Sequence, residues 1–358
     1  MTGETLIIRV DATAAMGTGH VMRCLALAQA WRRLGGDVVF AMVDTIPALA
    51  RRLEHEQFTS KLLNCAAGGF DDAEALASVA AGVHAAWVAI DGYHFNSAYQ
   101  HTIKKTGLKL LWIDDVGACM PYCADLVLNQ NLYAAPVMYS EQSDATNLLL
   151  GSSYALLREE FLGWNNWRRD FRGGVKRILV TMGGSDSQNA TAQILPALAR
   201  TGLDIEIDVV VGGSNPHTET IQQMANQLPC NINVRSDVVN MPDLMAGADL
   251  AISAAGVTCY ELALLHVPMI LITLAENQVP TAKAFAECGA ALNLGDLASV
   301  DLGRVAEAVC ALTHNAKQRR SLAGKARSLV DADGAMRVCQ VLLGNADLQS
   351  SRAEIAHA

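Results

Sequence analysis

The strongest constraint on how this chain folds is an alternation, made twice over, of short apolar runs with helical patterns. In the first half the apolar runs are 5–10, 37–43, 60–64, 86–91, 109–113, 126–129 and 148–151. Between the first two, Val21, Cys24, Leu25, Leu27, Ala28 and Trp31 recur at helical spacing. Around 152–175 the pattern breaks into an aromatic, charged stretch, SSYALLREEFLGWNNWRRDFRGG. A fresh strand at 177–182 restarts it, with further runs at 205–211, 232–235, 250–253, 269–273 and 291–294. Helical segments lie between them at 188–199, 218–228, 241–246, 258–265, 281–287 and 302–313. Strand–helix–strand order implies parallel pairing through right-handed crossovers. The fold class that follows is α/β, as two doubly wound, Rossmann-like domains facing each other across a cleft. Residues 1–168 and 169–344 are the expected domains, and 345–358 a polar tail. In such sheets ligands sit beyond the carboxyl ends of the strands, so chemistry is sought there.

At 358 residues the chain is too long for one comfortable core and fits two. Its 27 lysines and arginines against 36 acidic residues give a formal charge of −9, and the basic residues are scattered, which argues against a nucleic-acid partner. A small anion is not excluded, since helix N-termini bind phosphate without net positive charge. The start, MTGETLIIRV, lacks a basic n-region and runs straight into an apolar strand, unlike a secretory leader. The most apolar segment, LAISAAGVTCYELALLHVPMILITLA, is interrupted by Ser253, Thr258, Glu261, His266 and Pro268, and reads as strand–turn–helix–strand rather than a membrane span. Nine cysteines, odd in number and irregular in spacing, fit reduced thiols. Cys119 and Cys123 form C-x₃-C, with no second pair to complete a zinc site. The expected state is a cytoplasmic monomer with no metal, no cofactor and no stable membrane association.

The first domain opens with AMGTGHVMRC at 15–24, where a strand gives way to a helix. Gly17 and Gly19 begin a G-x-G-x-x-G pattern, but Met22 stands where the third glycine belongs and no G-K-[ST] follows. The turn is neither a dinucleotide fingerprint nor a P-loop. His20 falls in the first helical turn, with Arg23 three residues on and on roughly the same face. The positive end of a helix dipole disfavours an imidazolium, which is expected to keep His20 neutral and able to take a proton from water. The other reading is a histidine that packs or hydrogen-bonds locally; Arg23 is expected to support the turn rather than act in catalysis. Later strand ends carry Asp91, Gly92 and Tyr93 in VAIDGYHF, and Asp114 and Asp115 in LLWIDDVG. Singly these aspartates read as helix caps. As a set with Tyr93 and His20 they read as a site.

In the second domain VTMGGSDSQNA repeats the strand–turn–helix logic. Gly183 and Gly184 let backbone approach a ligand, Ser185 can donate to it, and Asp186 or Ser187 is the expected N-cap. AISAAGVTCYE places Gly256, Val257 and Thr258 at a helix start suited to a diphosphate. Glu261, about one turn in, would repel phosphate but can accept from two ribose hydroxyls; the alternative is a solvated helix face. LITLAENQ delivers Glu276, Asn277 and Gln278 toward the cleft.

Taken in order, RVDA, MGTGHVMRCLALA, AIDGYHF, IDDVG, DLVLNQN, GSSYALLREEF, TMGGSDSQN, LMAGADLAISAAGVTCYELA and ENQ carry a family resemblance. Over residues 8–293 the sequence resembles the UDP-2,4-diacetamido-2,4,6-trideoxy-β-L-altropyranose hydrolases of the pseudaminic acid pathway. The second half is similar, more loosely, to GT-B glycosyltransferases of the MurG type. The resemblance implies a GT-B fold and metal-independent hydrolysis of the UDP-linked sugar, with inversion at the anomeric carbon, giving UDP and the free sugar. It places the family's base on His20, its strand-end tyrosine on Tyr93 and its asparagine on Asn277. The related transferases place a ribose-holding glutamate on Glu261. UDP would then sit on the second domain, at Gly256, Val257, Thr258, Gly183, Gly184, Ser185 and Gln278. The sugar would extend across the cleft toward His20, past Gly17, Gly19 and Asp91. Two loops depart from the family pattern. Thr13 stands where serine is frequent, and Ser152 and Ser153 stand where proline is. The rival reading is a UDP-sugar-dependent GT-B glycosyltransferase, with a sugar or lipid hydroxyl in place of water.

Overall fold

The structure is a computed structural model that describes residues 3–13, 16–143, 145–236 and 238–345. The expected polar tail beyond residue 345 lies outside the described residues. Two compact units divide the chain, each built on one parallel sheet.

The first unit runs through β1 (Thr5–Val10), α1 (Gly19–Arg33), β2 (Asp37–Met42), α2 (Pro47–His55), β3 (Thr59–Leu62) and α3 (Phe70–Gly82). It continues with β4 (Ala85–Asp91), α4 (Ser97–Lys105), β5 (Lys109–Ile113), β6 (Leu126–Asn129) and β7 (Asn147–Leu150). The second holds β8 (Arg177–Thr181), α5 (Ala190–Ala199), β9 (Glu206–Val211), α6 (Thr218–Gln227), β10 (Asn231–Ser236) and α7 (Met241–Gly247). Next come β11 (Leu250–Ala254), α8 (Thr258–Leu264), β12 (Met269–Thr273), α9 (Val279–Glu287), β13 (Leu292–Asp296), α10 (Leu302–His314) and α11 (Ala316–Ser328). A last helix, α12 (Gly334–Leu342), returns to the first unit.

Strand order is β3-β2-β1-β4-β5-β6-β7 in one sheet and β10-β9-β8-β11-β12-β13 in the other, with every pair parallel. Both orders reverse once, between β1 and β4 and between β8 and β11. Crossovers on either side of that point leave to opposite faces and open a crevice at the strands' carboxyl ends. Strands buried on both faces read as unbroken apolar runs, as β11 and β12 do, buried at every residue. The outer strand β3 (TSKL) is exposed throughout, and its lysine and hydroxyls discourage pairing with another chain.

Helix ends shift where side chains redirect the backbone. α5 starts at Ala190 rather than 188 because Asp186 bonds the amides of Ala190 and Thr191 (2.7 and 3.0 Å). α9 starts two residues before 281, with Pro280 in its first turn, where a missing N–H costs nothing. α11 and α12 lie beyond the last segment read from the sequence, and α12 groups with the first unit, whereas the expected second domain ran to 344. A Cβ at Gly334 would lie 2.3 Å from the carbonyl oxygen of Ala155, so only glycine allows this approach. Trp87 Nε1 donates to the Leu342 carbonyl (2.9 Å) and Arg337 to that of Ser153 (2.7 Å). These contacts tie the last helix to the first unit, while residues 160–332 form the second together with 12–19.

Within the first unit a charged cluster is buried beside the interior strand β1. Arg9 forks onto Asp72 (Nε–Oδ1 2.9 Å, Nη2–Oδ2 2.8 Å) and lies 2.7 Å from Asp11, while the Tyr99 hydroxyl donates to Asp72 Oδ1 at 2.9 Å. No helix among the described residues is long and apolar enough to cross a membrane. All nine cysteines are free; Cys119 accepts from Gln100 Nε2 (3.2 Å), and burial pushes its thiol up to about 11.

Candidate active site

Three strands of the first sheet end in register: Val10 of β1 pairs with Asp91 of β4, and Asp91 with Ile113 of β5. Whatever follows those residues is therefore brought to the switch point. His20 and Arg23, one turn apart on α1, come from the segment after β1. Asp91 closes β4 and Tyr93 follows it by two residues. Asp115 stands two residues beyond β5.

These five side chains form one connected cluster. His20 Nδ1 lies 2.7 Å from Asp91 Oδ1. Arg23 grips the same carboxylate with both ends of its fork, Nε to Oδ2 at 2.6 Å and Nη2 to Oδ1 at 2.7 Å. Its Nη1 donates to Asp115 Oδ1 at 2.7 Å. Tyr93 donates its hydroxyl to Asp115 Oδ2 at 2.8 Å, and its ring meets the imidazole edge-on, centroids 4.8 Å apart at 83°. Asn131 Nδ2 adds a bond to Asp115 Oδ1 (2.8 Å). Asp91, Arg23, Asp115 and His20 are all buried, whereas Tyr93 is half exposed.

Burial alone would favour a protonated Asp91, but the Arg23 guanidinium and His20 outweigh it and hold the carboxyl well below its usual range. Asp115 is held low in the same way, against its burial, by Arg23. Burial penalises the charge on Arg23, and the two carboxylates overcome that penalty. An ionised Asp91 can only accept, so the proton of the His20 ring is assigned to Nδ1 and the lone pair to Nε2. Arg23 Nη2, at 3.2 Å from Nδ1, is then a close neighbour of that nitrogen and not its donor. Two carboxylates against one guanidinium leave one net negative charge. That charge can balance a positive charge formed on the ring when Nε2 takes a proton. The thiol of Cys24, donating to Asp91 Oδ2 at 3.4 Å, is pushed far up by burial and plays no acid–base part.

Several expectations change here. The helix dipole is not the nearest influence on His20, since Asp91 places a full charge 2.7 Å from the ring. Arg23 does not support the glycine turn. The turn closes on itself, Gly17 N to Thr13 O (2.9 Å) and Met16 N to Thr13 Oγ1 (3.1 Å), so Thr13 does what a serine would. Asp91 caps no helix; α4 is capped by Asn96, which accepts from Tyr99 N at 3.0 Å. Asp114 is the structural member of its pair, accepting from Val116 N, Gly117 N and the Tyr122 hydroxyl. The linking roles of Arg23 and Asp115 went unread. Their only signals were the three-residue spacing from His20 and the doubled aspartate at a strand end.

Gly17 and Gly19 follow β1, and the other expected residues follow the carboxyl ends of β8, β11 and β12 in the second sheet. Gly183 is left-handed (φ 85°). Gly184 faces Thr18, whose Oγ1 would lie 2.2 Å from an added Cβ, and a Cβ at Gly212 would lie 2.2 Å from the Gly184 carbonyl oxygen. Close packing of chain on chain thus requires glycine at Gly184, where ligand approach was expected. Gly17 faces Ser185, whose Oγ would be 3.5 Å from a Cβ there, and Gly19 is the first residue of α1. Around the start of α8 the amides of Gly256, Cys259 and Tyr260 are bonded within the turn (2.9, 3.0 and 3.0 Å). Those of Val257 and Thr258 have no backbone acceptor among the described residues. Glu261 is buried in α8, not on a solvated face. Gln278 accepts from Leu274 N (2.9 Å), closing the loop whose short 3-10 turn, Glu276–Gln278, carries Asn277. Among the described residues no group of three His, Cys, Asp or Glu side chains is placed to hold a metal ion.

Residues 177–338 match the glycosyltransferase family 28 C-terminal domain. The chain is 28% identical over 293 residues to the UDP-2,4-diacetamido-2,4,6-trideoxy-β-L-altropyranose hydrolase of Campylobacter jejuni, covering 79% of this chain and 97% of that protein. It is 30% identical over 201 residues to the spore coat polysaccharide biosynthesis protein SpsG of Bacillus subtilis, covering 55% and 58%. The chain thus spans little more than half the length of that relative, and 55% of the length of another, from Methanocaldococcus jannaschii. Its fold superposes on MurG of Acinetobacter baumannii with a TM-score of 0.67 at 17% identity, covering 95% of this chain and 99% of that one. This chain is thus similar in sequence to a UDP-2,4-diacetamido-2,4,6-trideoxy-β-L-altropyranose hydrolase, and it has the two-domain GT-B fold seen in MurG.

Proposed function

We propose that the chain hydrolyses a UDP-linked 2,4-diacetamido-2,4,6-trideoxy sugar at the anomeric C–O bond, with inversion, giving UDP and the free sugar. The observation that carries this reading is the buried His20–Asp91 pair at 2.7 Å, with the Nε2 lone pair left for a water molecule. The kinship to the Campylobacter jejuni hydrolase supports the substrate class.

In this reading His20 Nε2 takes a proton from water as the water oxygen bonds to the anomeric carbon, on the face opposite UDP. The bond from that carbon to the diphosphate oxygen breaks, and UDP leaves with the electron pair. Asp91 holds the ring in the Nδ1–H tautomer and balances the imidazolium as it forms. Since UDP is a stable anion, one base suffices, and the second carboxylic acid of ordinary glycosidases is not needed. General-base help of this kind is worth about 10² to 10⁴ in rate. Tyr93 packs the imidazole and offers its half-exposed ring to the substrate. On the second unit the amides of Val257 and Thr258, with Gly256 and Gly183, take the diphosphate, Glu261 accepts from the ribose, and Asn277 and Gln278 complete the substrate contacts.

Hydrolysis in ¹⁸O-water, followed by NMR, tests the reaction. The label is expected on the sugar, in the inverted anomer first, with UDP released when no acceptor is added. Label on phosphate would overturn cleavage at carbon. Strict dependence on an added hydroxyl acceptor would favour the glycosyltransferase reading, which the family 28 match keeps as the second one.

A further inference from the structure

We infer that Arg23 is a positioning residue, one clamp that holds His20 and Tyr93 together through the two carboxylates it bridges. Its kinetic consequences rest on the function proposed above; its effect on the His20 ring does not.

The fork of Arg23 is divided between two strand ends. Nε and Nη2 grip Asp91 at the end of β4, and Nη1 grips Asp115 beyond β5. Each carboxylate then holds one site residue, Asp91 the His20 ring and Asp115 the Tyr93 hydroxyl. Beside the edge-on contact of the two rings, the hydrogen-bonded path from His20 through Asp91, Arg23 and Asp115 to Tyr93 passes through this one guanidinium. Stability does not explain such a cluster. Burying two carboxylates and a guanidinium carries a desolvation cost that apolar side chains of similar volume avoid, and β1, β4 and β5 are already held in register by their ladders. What the cluster supplies is a fixed charge and a fixed geometry around one histidine. The charged or titratable groups facing that histidine are Arg23 on its own helix, Asp91 on β4, Tyr93 after β4 and Asp115 beyond β5.

Three variants separate charge from geometry: Arg23→Met, Arg23→Lys and Asp115→Asn. The readouts are the pH profile of kcat/KM and an NMR titration of the His20 ring in the substrate-free protein. Removing the cation makes a proton on the cluster more favourable, so Arg23→Met moves the acid limb to higher pH, by about one unit or more. Asp115→Asn removes an anion and moves the limb the opposite way. Arg23→Lys leaves the limb near its original place yet lowers kcat by about tenfold, because an ammonium cannot form the fork. The ring titration is expected to follow the same order. A purely structural arginine would lower activity without shifts of opposite sign. Unmoved limbs and an unmoved ring titration, or wild-type kcat in Arg23→Lys, would overturn the inference. Should Arg23→Met fail to fold, the other two variants decide it. Should the enzyme prove acceptor-dependent, the ring titrations still decide the role of Arg23.

Discussion

His20 and Asp91, 71 positions apart, meet at 2.7 Å because they belong to the two strand ends between which the first sheet reverses its order. Asp91 closes β4 in register with Val10, and α1 begins nine residues after Val10. A glycine-bearing turn is all that separates the end of β1 from the imidazole. The pair is thus a product of topology, assembled where a doubly wound sheet opens its crevice.

Replacing Asp91 by asparagine tests the pair directly. The amide keeps the shape but loses the charge, and its NH2 group, a donor, takes the place of one of the two oxygens that accept from His20 and the Arg23 fork. The ring then loses its fixed tautomer and the partner for its positive charge. On the proposed mechanism kcat falls by about 10² to 10⁴, as for His20→Ala, with KM changed only a few-fold. Rates at saturating substrate, with circular dichroism as the check on folding, read the outcome. Unchanged kcat in Asp91→Asn would remove the dyad from the mechanism.

Hydrophobic runs located the strands because parallel strands buried on both faces leave a continuous apolar signature, as in MILIT of β12. Strand-end residues were legible for the same reason: β1, β4 and β5 are parallel neighbours, so Asp91 and Asp115 had to arrive beside the start of α1. The bridge made by Arg23 was not legible, because three-residue spacing gives a shared helix face but not the partner across it. Nor was the packing of Gly184 on Thr18, since a glycine that admits a ligand and one that admits another segment of chain leave the same letter. The return of α12 escaped for a further reason. Its place depends on contacts between Gly334 and Ala155, far apart in sequence, which no local pattern encodes.

Stability should fall with acid in two stages. Burial, assisted by Arg327, Arg168 and Arg169, lowers His266 to about 4. Between about pH 6.5 and 4 an unfolded histidine binds a proton that the folded one does not, so stability declines as pH falls through that window. Asp91, Asp115 and Asp11 are carboxyls held low against their burial, the last by His94 and Arg9. Their contribution is complete above about pH 4 and is lost below it, when the unfolded chain takes up protons first. Urea midpoints at pH 7.5, 5 and 3.5 measure both stages. His266→Asn, which suits the positive φ of 51° at this position, is expected to flatten the first stage and leave the second. An identical profile in the variant would place the first stage elsewhere.

The sealed Arg9–Asp72 pair makes a different kind of prediction. Both side chains are fully buried, and Asp72 also accepts from Tyr99 and from Gly68 N (2.7 Å). Asp72→Ala leaves a buried guanidinium short of a partner and a tyrosine without an acceptor, costing about 3–5 kcal/mol. Replacing Arg9 and Asp72 together with methionine and leucine is expected to recover only part of that loss: no guanidinium is left buried short of a partner, but Asp11 loses Arg9 and Tyr99 still lacks its acceptor. Urea unfolding of the three proteins measures it. A double variant as unstable as Asp72→Ala would show that the network carries stability beyond its charges.

Gly184 separates chain packing from ligand approach. An alanine there would place its Cβ 2.2 Å from Thr18 Oγ1, 3.0 Å from Cγ2 and 3.1 Å from Cβ. The crowding is expected to cost about 1–3 kcal/mol. Thr18→Ala removes the first two atoms and leaves the 3.1 Å contact, which a shift of a few tenths of an ångström relieves. The double variant should therefore regain most of the stability, with a coupling of about 1–2 kcal/mol in the cycle. UDP affinity, read by calorimetry on the same four proteins, separates the two uses of the glycine. If Gly184 serves only the packing of residues 12–19 on this loop, affinity recovers together with stability. If the ligand itself needs the space, the double variant regains its fold and still binds UDP weakly.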